Sequence, residues 1–488
     1  MYKNNVISTS LLTEDIDANL ETLDYQGKER EFFRIELTYN RIIESVASKE
    51  KELTQAQTQC KRCDKRKREI IAKEIVRAAE GCLKTPYYRS KSKDDQIVFL
   101  FTGTHWETME GQQFKDFVNK ASQRCGIDES DLHDPDFMVN LYDQVAFMVA
   151  EHIKVFIPDG ETWINVKNGT LVIKRDGTVV LRKHKREDFF HYTLDYNYDK
   201  NATCPLWHKF LDKMLPDADV QKMLASYIGY CFTNGIKLEK MLVLYGKGAN
   251  GKSVVLETME GIFGSCNVSN INLADLTNDP EKRLHIENKL VNISYESNKA
   301  IEPSILKQLV SGEPIDARRL YVGTIKINRY AKLATAFNIL PKAEATRGFY
   351  RRFIIMPFSV TISDKEADVD LPKKLYAERP GILNWILEAL IELLKTKELP
   401  KCEVCDKALS DYKLKSDSAL SFIYETCAAS TEEISAKELY EKYKSYCYAE
   451  GFRQANRRNF IERIEAMGYK STLRHKMKYF NITINDYD

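Results

Sequence analysis

The first part of the chain mixes charged residues with apolar residues at helical spacing. Apolar side chains recur every three to four positions around Ile70, Ile71, Ile75 and Val76, and no proline occurs before residue 86. This period is typical of an amphipathic helix, so we predict a charged helical arm over residues 1–85. The basic run 61–68 within it either binds the phosphate backbone of a nucleic acid or forms a solvated helix face.

From about residue 86 the pattern changes to short alternating apolar runs. Two of them, Trp163–Val166 and Gly169–Ile173, flank the dipeptide Asn168-Gly169. Asn-Gly between alternating runs is a strong signal for a two-residue β-hairpin turn. We therefore predict an α+β domain over residues 86–205, and we refer to it as the companion domain.

Helical periods return after Pro205. Leu206–Met214 and Val220–Phe232 both have them, and we predict a helical collar over residues 206–238. The collar leads directly into the continuous apolar run Met241–Tyr245, which is typical of a parallel strand buried on both faces.

Three further runs have the character of buried strands. They are 289–296, 331–337 and 353–358. Buried strands alternating with helical segments predict a parallel sheet covered by helices. We assign residues 239–395 to an α/β domain of this kind.

The last part of the chain has two helical patterns followed by an alternating segment. Ser435 is placed to cap one helix, with Leu439 on its inner face. Helix, helix and basic hairpin are the order of a winged helix, predicted over residues 396–488. A helical cap with exposed lysines is the alternative. The predicted DNA contacts here are Arg457, Arg458, Arg474 and Lys476.

Composition narrows the class of protein. The 488 residues are 43% hydrophobic and 30% charged, which fits a soluble globular chain. No apolar run is long enough to span a membrane and the first residues lack a secretory signal, so we expect a cytoplasmic protein of a bacterium or viral host, without membrane partners. Eleven cysteines at scattered spacing favour free thiols. Because the net charge is only +2, nucleic-acid binding would depend on local basic patches.

A complete P-loop follows the strand Met241–Tyr245. Glycines let backbone N–H groups surround phosphates, Lys252 reaches the outer phosphates, and the Ser253 hydroxyl binds Mg²⁺. We predict ATP and Mg²⁺ as ligands, although a degenerate ATPase can also retain the motif. The predicted nucleotide cradle is Gly246, Lys247, Gly248, Ala249, Asn250, Gly251, Lys252, Ser253 and Val254.

Later strands end in further candidates for ATP hydrolysis. Glu296 can hold the Mg²⁺ water shell or orient the attacking water. Asn338 can sense the γ-phosphate from a strand beside the P-loop, although an asparagine before proline often only starts a turn. Arg351 and Arg352 precede the last strand, and an arginine there can reach the nucleotide of a neighbouring subunit.

The order of these motifs resembles superfamily 3 helicases, and in particular the helicase part of phage, plasmid and poxvirus-type primase-helicases. The likeness includes the segment 306–321 and, upstream, Thr102–Trp106, Asn168–Leu171 and Asp195–Asp199. The resemblance implies an AAA+-like P-loop core in a homo-hexameric ring. It also implies single-stranded and forked DNA as substrates, with a separate primase or replication protein as a further partner.

Two departures from the family affect the expected site. Tyr295 stands where the family usually has a small or acidic residue, so Glu296 would act largely alone. The family's channel hairpin has a basic tip, whereas here the tip is predicted at 322–324, and the resemblance assigns the DNA grip to Arg318, Arg319 and Lys326 beside it. The helical arm lacks the clustered carboxylates of a primase centre, and no primase activity is expected.

Three functions remain open from the residues. The first is an ATP-driven DNA helicase that replicates a mobile element. The second is a nucleotide-switched ATPase that binds an origin and loads other proteins, and the third is a packaging or RNA-translocating motor.

Two CxxC pairs, at 60–63 and 402–405, could supply one zinc site, but their separation favours reduced cysteines. We expect no metal other than Mg²⁺.

Overall fold

The structure of the protein is a computed structural model that describes residues 38–57, 63–85, 97–109, 111–151, 157–233, 235–296, 300–319, 323–340, 347–363, 368–452, 454–474 and 477–484. These residues form four hydrophobic cores, two of which lie on opposite faces of one central sheet. No helix in these ranges combines the length and the apolar composition needed to cross a bilayer.

The N-terminal unit, residues 38–151, has its own core. Its elements are a helical segment at 38–45, α1 (Glu50–Gln57), α2 (Cys63–Ala79), β1 (Leu83–Lys84), β2 (Val98–Phe101), β3 (Trp106–Met109), α3 (Gly111–Arg124), α4 (Glu129–Leu132) and α5 (Pro135–Met148). Ile71 and Ile75 of α2 are fully buried in the same core as Leu100 and Phe117. The apolar stripe of the described part of the predicted arm therefore packs against residues that follow residue 85. The two segments share one core, so residue 85 is not a boundary between cores.

The predicted hairpin forms, but its two turn residues are Lys167 and Asn168, and Gly169 begins the second strand. The strands β4 (Glu161–Val166), β5 (Gly169–Lys174) and β6 (Val179–Arg182) make an antiparallel sheet, with Val166 opposite Gly169. The Asn168 side chain donates to the Tyr198 carbonyl (3.0 Å) and accepts from the Tyr198 N–H (2.9 Å). The inner face of this sheet shares the core of the central domain, so the region predicted as one companion domain contributes to two cores.

Two collar helices follow, α6 (Pro205–Met214) and α7 (Ala218–Phe232). Proline is in the first turn of α6, where its missing N–H costs no helical hydrogen bond. The Asp217 carboxylate caps α7 by accepting from the N–H groups of Asp219 and Val220. Trp207 is fully buried against the central domain, so the collar is packed tightly on it.

The central domain is built on a five-stranded parallel sheet. Its elements are β7 (Met241–Tyr245), α8 (Lys252–Phe263), β8 (Val268–Ser269), α9 (Leu273–Asn278), β9 (Val291–Tyr295), α10 (Pro303–Ser311), β10 (Ile315–Arg319), β11 (Gly323–Ile327), β12 (Lys332–Phe337), α11 (Arg347–Tyr350), β13 (Phe353–Pro357), α12 (Leu371–Ala377), α13 (Arg379–Thr396) and α14 (Glu403–Ser416), with 3₁₀ turns at Ser265–Asn267 and Lys282–Ile286. The strand order is β13-β7-β12-β9-β8, and β10 and β11 form a separate hairpin.

Both faces of the central sheet are covered. Leu242 and Leu244 of β7 face the core shared with α7, α8, α13 and the β4–β5 hairpin, whereas Met241 and Val243 face the core shared with α9, α10 and α14. This alternation follows from the two-residue period of a strand. The Arg379 guanidinium pairs with the Asp195 carboxylate (2.6 Å), which joins the companion segment to α13.

The C-terminal unit has a separate core. It contains α15 (Ser418–Thr426), β14 (Cys427–Ser435), α16 (Ala436–Ala449), α17 (Arg457–Ala466), β15 (Ser471–Arg474) and β16 (Met477–Ile484), with antiparallel sheet order β14-β16-β15. The Ser435 hydroxyl caps α16 by accepting from the Glu438 N–H (3.2 Å), and Leu439 is fully buried, as predicted. Tyr412 of α14 packs in a core of the central sheet, so the unit's core begins near residue 417 rather than at 396.

Candidate functional site

The loop between β7 and α8 has the backbone conformation of a phosphate cradle. Gly248, Ala249 and Gly251 all have positive φ angles, of 104°, 49° and 79°. A Cβ on Gly246 would lie 2.5 Å from the Phe358 carbonyl oxygen, so only glycine fits there. The helix α8 begins at Lys252 and directs its N-terminal N–H groups toward the loop.

Lys252 points into this loop and is buried. Its ammonium donates to the Gly246 carbonyl (2.7 Å), to Asn250 Oδ1 (2.9 Å) and to Asn338 Oδ1 (3.0 Å). Burial lowers the pKa of Lys252, and the charge of Glu296 opposes that shift. All three acceptors are neutral, so phosphate oxygens would offer the ammonium stronger partners.

The buried side chain of Asn250 links the P-loop to the end of β13. Its Nδ2 donates to the Phe358 carbonyl (3.1 Å), while its Oδ1 accepts from Lys252. The sequence predicted Asn250 only as one residue of the cradle. Its second role depends on a partner distant in sequence, and no local motif signals that partner.

Glu296 and Asn338 meet at the edge of the sheet where the P-loop lies. Glu296 follows β9, Asn338 follows β12, and β12 lies between β9 and the P-loop strand β7, as the expected position of Asn338 requires. The Asn338 N–H donates to Glu296 Oε2 (3.1 Å). A chain of hydrogen bonds therefore runs from Lys252 through Asn338 to Glu296.

Two oxygen donors near this series of hydrogen bonds suit a magnesium ion. Ser253 is exposed in the first turn of α8, and the carboxylate of Glu296 is also exposed. Hydroxyl and carboxylate oxygens are ligands that Mg²⁺ takes together with phosphate oxygens and water. The described ranges contain no group of three or more His, Cys, Asp or Glu that could hold a metal by itself.

The two CxxC pairs considered for zinc are far apart in sequence. The Cys402 sulfur accepts from the Cys405 N–H (3.4 Å) at the start of α14, and Cys60 lies outside the described residues.

The two candidate arginines have different environments. The Arg351 side chain is 60% exposed, and its guanidinium pairs with the Glu239 carboxylate (2.6 Å). The Arg352 side chain is only 13% exposed. Its guanidinium donates twice to the Ser311 hydroxyl (3.1 and 2.7 Å) and once to the Gly348 carbonyl, and it lies 3.4 Å from the Glu239 carboxylate. The Arg351 side chain is thus open to solvent, whereas the Arg352 side chain is enclosed by its own chain.

The predicted basic residues of the β10–β11 hairpin lie on its two strands. Arg318 is 3.8 Å from a carboxylate oxygen of Glu281, and Arg319 is 3.8 Å from one of Glu287. Lys326 is exposed on β11. Residues 323 and 324, predicted at the tip, are in β11 opposite 319 and 318, because the strand pairing extends that far. Residue 322 lies outside the described residues.

The predicted basic residues of the C-terminal unit lie on α17 and β15. Arg457 and Arg458 are exposed on the first turn of α17, and Arg458 pairs with Glu462 (2.8 Å). Arg474 ends β15 and pairs with Glu433 (2.9 Å). Lys476 lies outside the described residues. The helix and the hairpin strand each present basic side chains to solvent.

Two family models match parts of the chain. Residues 84–216 match a family described as "D5 N terminal like", and residues 244–352 match a family of unknown function, DUF5906. The second match contains the P-loop, Glu296, Asn338 and both arginines. The first ends just after the collar helix α6.

One viral protein and two solved structures are similar to the chain. The chain is 25% identical over 266 residues to "Putative helicase L207/L206" of Acanthamoeba polyphaga mimivirus, and the match covers 50% of this chain and 25% of that protein. The chain thus spans about a quarter of the relative it matches. An apo structure of the NrS-1 C-terminal region has a TM-score of 0.48 at 11% identity, covering 85% of this chain and 98% of that one. An apo structure of its residues 305–718 has a TM-score of 0.47 at 10% identity, with the same coverage.

Proposed function

We propose that the protein is an ATP-dependent DNA helicase or translocase of superfamily 3 type, acting in the replication of a phage, plasmid or other mobile element. The observation that carries the proposal is the chain of hydrogen bonds from Lys252 through Asn338 to Glu296. A phosphate-binding cation, a polar sensor and a carboxylate for water activation meet at one edge of the sheet. The likeness to a viral protein named as a helicase supports the same class.

Each residue at this edge has a role in ATP hydrolysis under the proposal. Lys252 leaves its three neutral acceptors and neutralises charge on the outer phosphates. Asn338 holds the γ-phosphate region through its side chain, and its N–H fixes the Glu296 carboxylate toward the attacking water. Ser253 and Glu296 would hold Mg²⁺, which screens the phosphate charge when it is bound.

The proposal includes a ring in which Arg351 completes the site of a neighbouring subunit. The 60% exposure of the Arg351 side chain favours it over the enclosed Arg352, with which it shares the carboxylate of Glu239. A homo-hexamer is proposed, with single-stranded and forked DNA as the track. The β10–β11 hairpin would contact the strand through Arg318, Arg319 and Lys326. We propose no primase activity, and a separate primase as partner.

The C-terminal unit favours a second candidate function, a nucleotide-switched ATPase that binds an origin and loads other proteins. Its element order, helix, strand, two helices and two strands, supports the winged helix predicted from sequence. A winged helix is a common DNA-binding module, with the second of its paired helices in the major groove. Under this candidate Arg457, Arg458 and Arg474 recognise duplex DNA and hydrolysis only resets the complex.

Unwinding of forked DNA separates the two candidates. With ATP and Mg²⁺ the native chain should displace the labelled strand of a fork, and Lys252→Ala should abolish both strand displacement and ATP turnover. Lys222→Ala, which removes an exposed lysine of α7, is the control for a general charge effect. ATP turnover without displacement on any fork, together with tight duplex binding, would favour the loader. Turnover in Lys252→Ala equal to the native rate would reject the site.

A further inference from the structure

A polar pocket lies at the edge of the central sheet opposite to the P-loop. It has a volume of about 190 Å³. It is lined by Lys332, the first residue of β12, by Leu290, which directly precedes β9, and by Thr233 at the end of α7. Because the strands are parallel, their beginnings lie at the edge farthest from Lys252. The pocket is therefore separate from the nucleotide site.

The charged side chains that line this pocket are all positive. Lys289, Arg329 and Lys332 line it, and its lining contains no Asp or Glu. None of the three forms an ion pair with a carboxylate in the part of the chain that the structure describes. Lys289 donates to the Cys266 carbonyl, and the Lys332 ammonium lies 4.6 Å from the centre of the Tyr230 ring.

Arg329 keeps an exposed surface, although its neighbours remove part of the water around its guanidinium. Burial lowers the pKa of Arg329, although the nearby Tyr192 opposes the shift. Three cations line the pocket without an anion among its lining residues, so the pocket favours a ligand that brings negative charge.

Two uncharged donors complete the lining. Asn288 and Asn328 are exposed at the pocket, and neither side chain makes a hydrogen bond to another described residue. Asn288 is held in a left-handed conformation with φ of 58°, and its N–H donates to the Arg329 carbonyl (3.0 Å). Amide and guanidinium groups together are the donors that surround phosphate oxygens in nucleic-acid interfaces.

The position of the pocket suggests which phosphate it takes. Leu309 and Gly312 line it at the end of α10, and β10 of the hairpin begins at Ile315. The pocket is therefore at the root of the hairpin that we propose to contact single-stranded DNA. A strand running past the hairpin could place one phosphate in the pocket while its other phosphates stay in solvent.

We propose that this pocket binds one backbone phosphate of single-stranded DNA, on the side of the central domain away from the ATP site. The inference rests on the proposed function, since it assumes that a DNA strand passes the hairpin. A free phosphate ion has the same chemistry and is the other possible ligand.

The test is DNA binding by the full chain with Arg329→Gln and Lys332→Gln combined. The double variant keeps polar side chains at both positions and removes two charges. The matched control, Lys209→Gln with Lys222→Gln, removes two charges from exposed positions of the collar helices α6 and α7. Fluorescence anisotropy of a labelled oligothymidylate gives the dissociation constant as a function of salt, and circular dichroism checks folding.

Loss of one phosphate contact has a defined signature. For single strands the slope of log K against log salt changes by about 0.7 per phosphate, which corresponds to about fivefold weaker binding at about 0.1 M salt. We expect that change in the pocket variant and a smaller one in the control, with ATP turnover in the absence of DNA unchanged in both.

Each outcome supports or overturns the inference. Equal affinity and equal salt slope in the pocket variant and the native chain would overturn the inference and leave the ATPase proposal intact. Unchanged DNA binding with loss of inorganic phosphate binding, measured by calorimetry, would also overturn it and assign a free anion. A native chain that hydrolyses ATP but binds no single strand would overturn it as well. Pocket-dependent DNA binding without any ATP turnover would support the pocket and reject the proposed ATPase alone.

Discussion

Arg351 and Arg352 are adjacent in sequence, and the structure predicts opposite consequences for their replacement. Arg351→Ala removes a side chain that is 60% exposed and whose one ion pair among the described residues is with Glu239, so it should cost at most about 1 kcal/mol of folding free energy. Arg352→Ala removes an enclosed guanidinium bonded to Ser311 and Gly348, and charged hydrogen bonds of this kind contribute about 1.5–3 kcal/mol. Urea denaturation of the two variants should show this difference.

Mixing of inactive chains then tests whether Arg351 acts on a neighbouring subunit. Arg351→Ala has an intact P-loop, and Lys252→Ala has an intact arginine. In a random equal mixture about one quarter of the interfaces combine both intact parts, and trans arginines contribute about 10³-fold or more to the rate. ATP turnover should therefore return to roughly a quarter of the native value, far above either pure variant.

The control for this experiment is the same mixture made with Arg352→Ala. If Arg352 only supports its own subunit, any recovery in that mixture should be limited by how much of the variant folds and assembles. Recovery with Arg352→Ala and none with Arg351→Ala would reverse the assignment. No recovery in either mixture, with assembly confirmed by light scattering, would refute the shared site and favour the loader.

Three further predictions follow from single side chains. Glu296→Gln should bind ATP with native affinity but hydrolyse it slowly, because the amide keeps its contact with the Asn338 N–H and loses the base; equal single-turnover rates would move the role to another acid. Gly381→Ala should lower the urea midpoint, since the new Cβ would collide with the Thr203 backbone; an unchanged midpoint would mean that the backbone there yields easily. Burial lowers the pKa of His191 from 6.5 to about 4. Between these two pH values the unfolded chain therefore binds a proton at His191 and the folded chain does not. Stability should therefore fall by up to about 3 kcal/mol as the pH drops from about 6.5 toward about 4, and less in His191→Phe, as pH-dependent urea melts would show.

The parts of the fold with local signals were predictable from sequence. The apolar run 241–245 is a buried strand, and the Asn-Gly dipeptide at 168–169 is at the turn of a hairpin, because each signal acts within a few residues. The division into cores was not predictable in the same way. Whether the apolar stripe of α2 faces solvent, a partner or β2 depends on packing between distant segments, and periodicity alone does not identify the partner.

The candidate site shows the same limit at the level of side chains. The P-loop motif identified Lys252, but the sequence did not predict that Asn250 would bridge it to the carbonyl of Phe358. The sequence likewise left Arg351 and Arg352 equivalent. Their difference comes from Ser311, whose hydroxyl lies next to Arg352 only after α10 and β13 have packed. Long-range partners of this kind have no spacing rule from which they could be inferred.

The separate cores of the N-terminal unit, the central domain and the C-terminal unit have a consequence for how the chain melts. A scanning calorimeter should record several overlapping heat-absorption peaks rather than one, because each core can lose its packing while the others persist. Gly381→Ala should shift the peak of the central domain alone. Nucleotide should raise that same peak and leave the C-terminal one in place. A variant's effect therefore has to be assigned to its own peak before it is converted into a free energy.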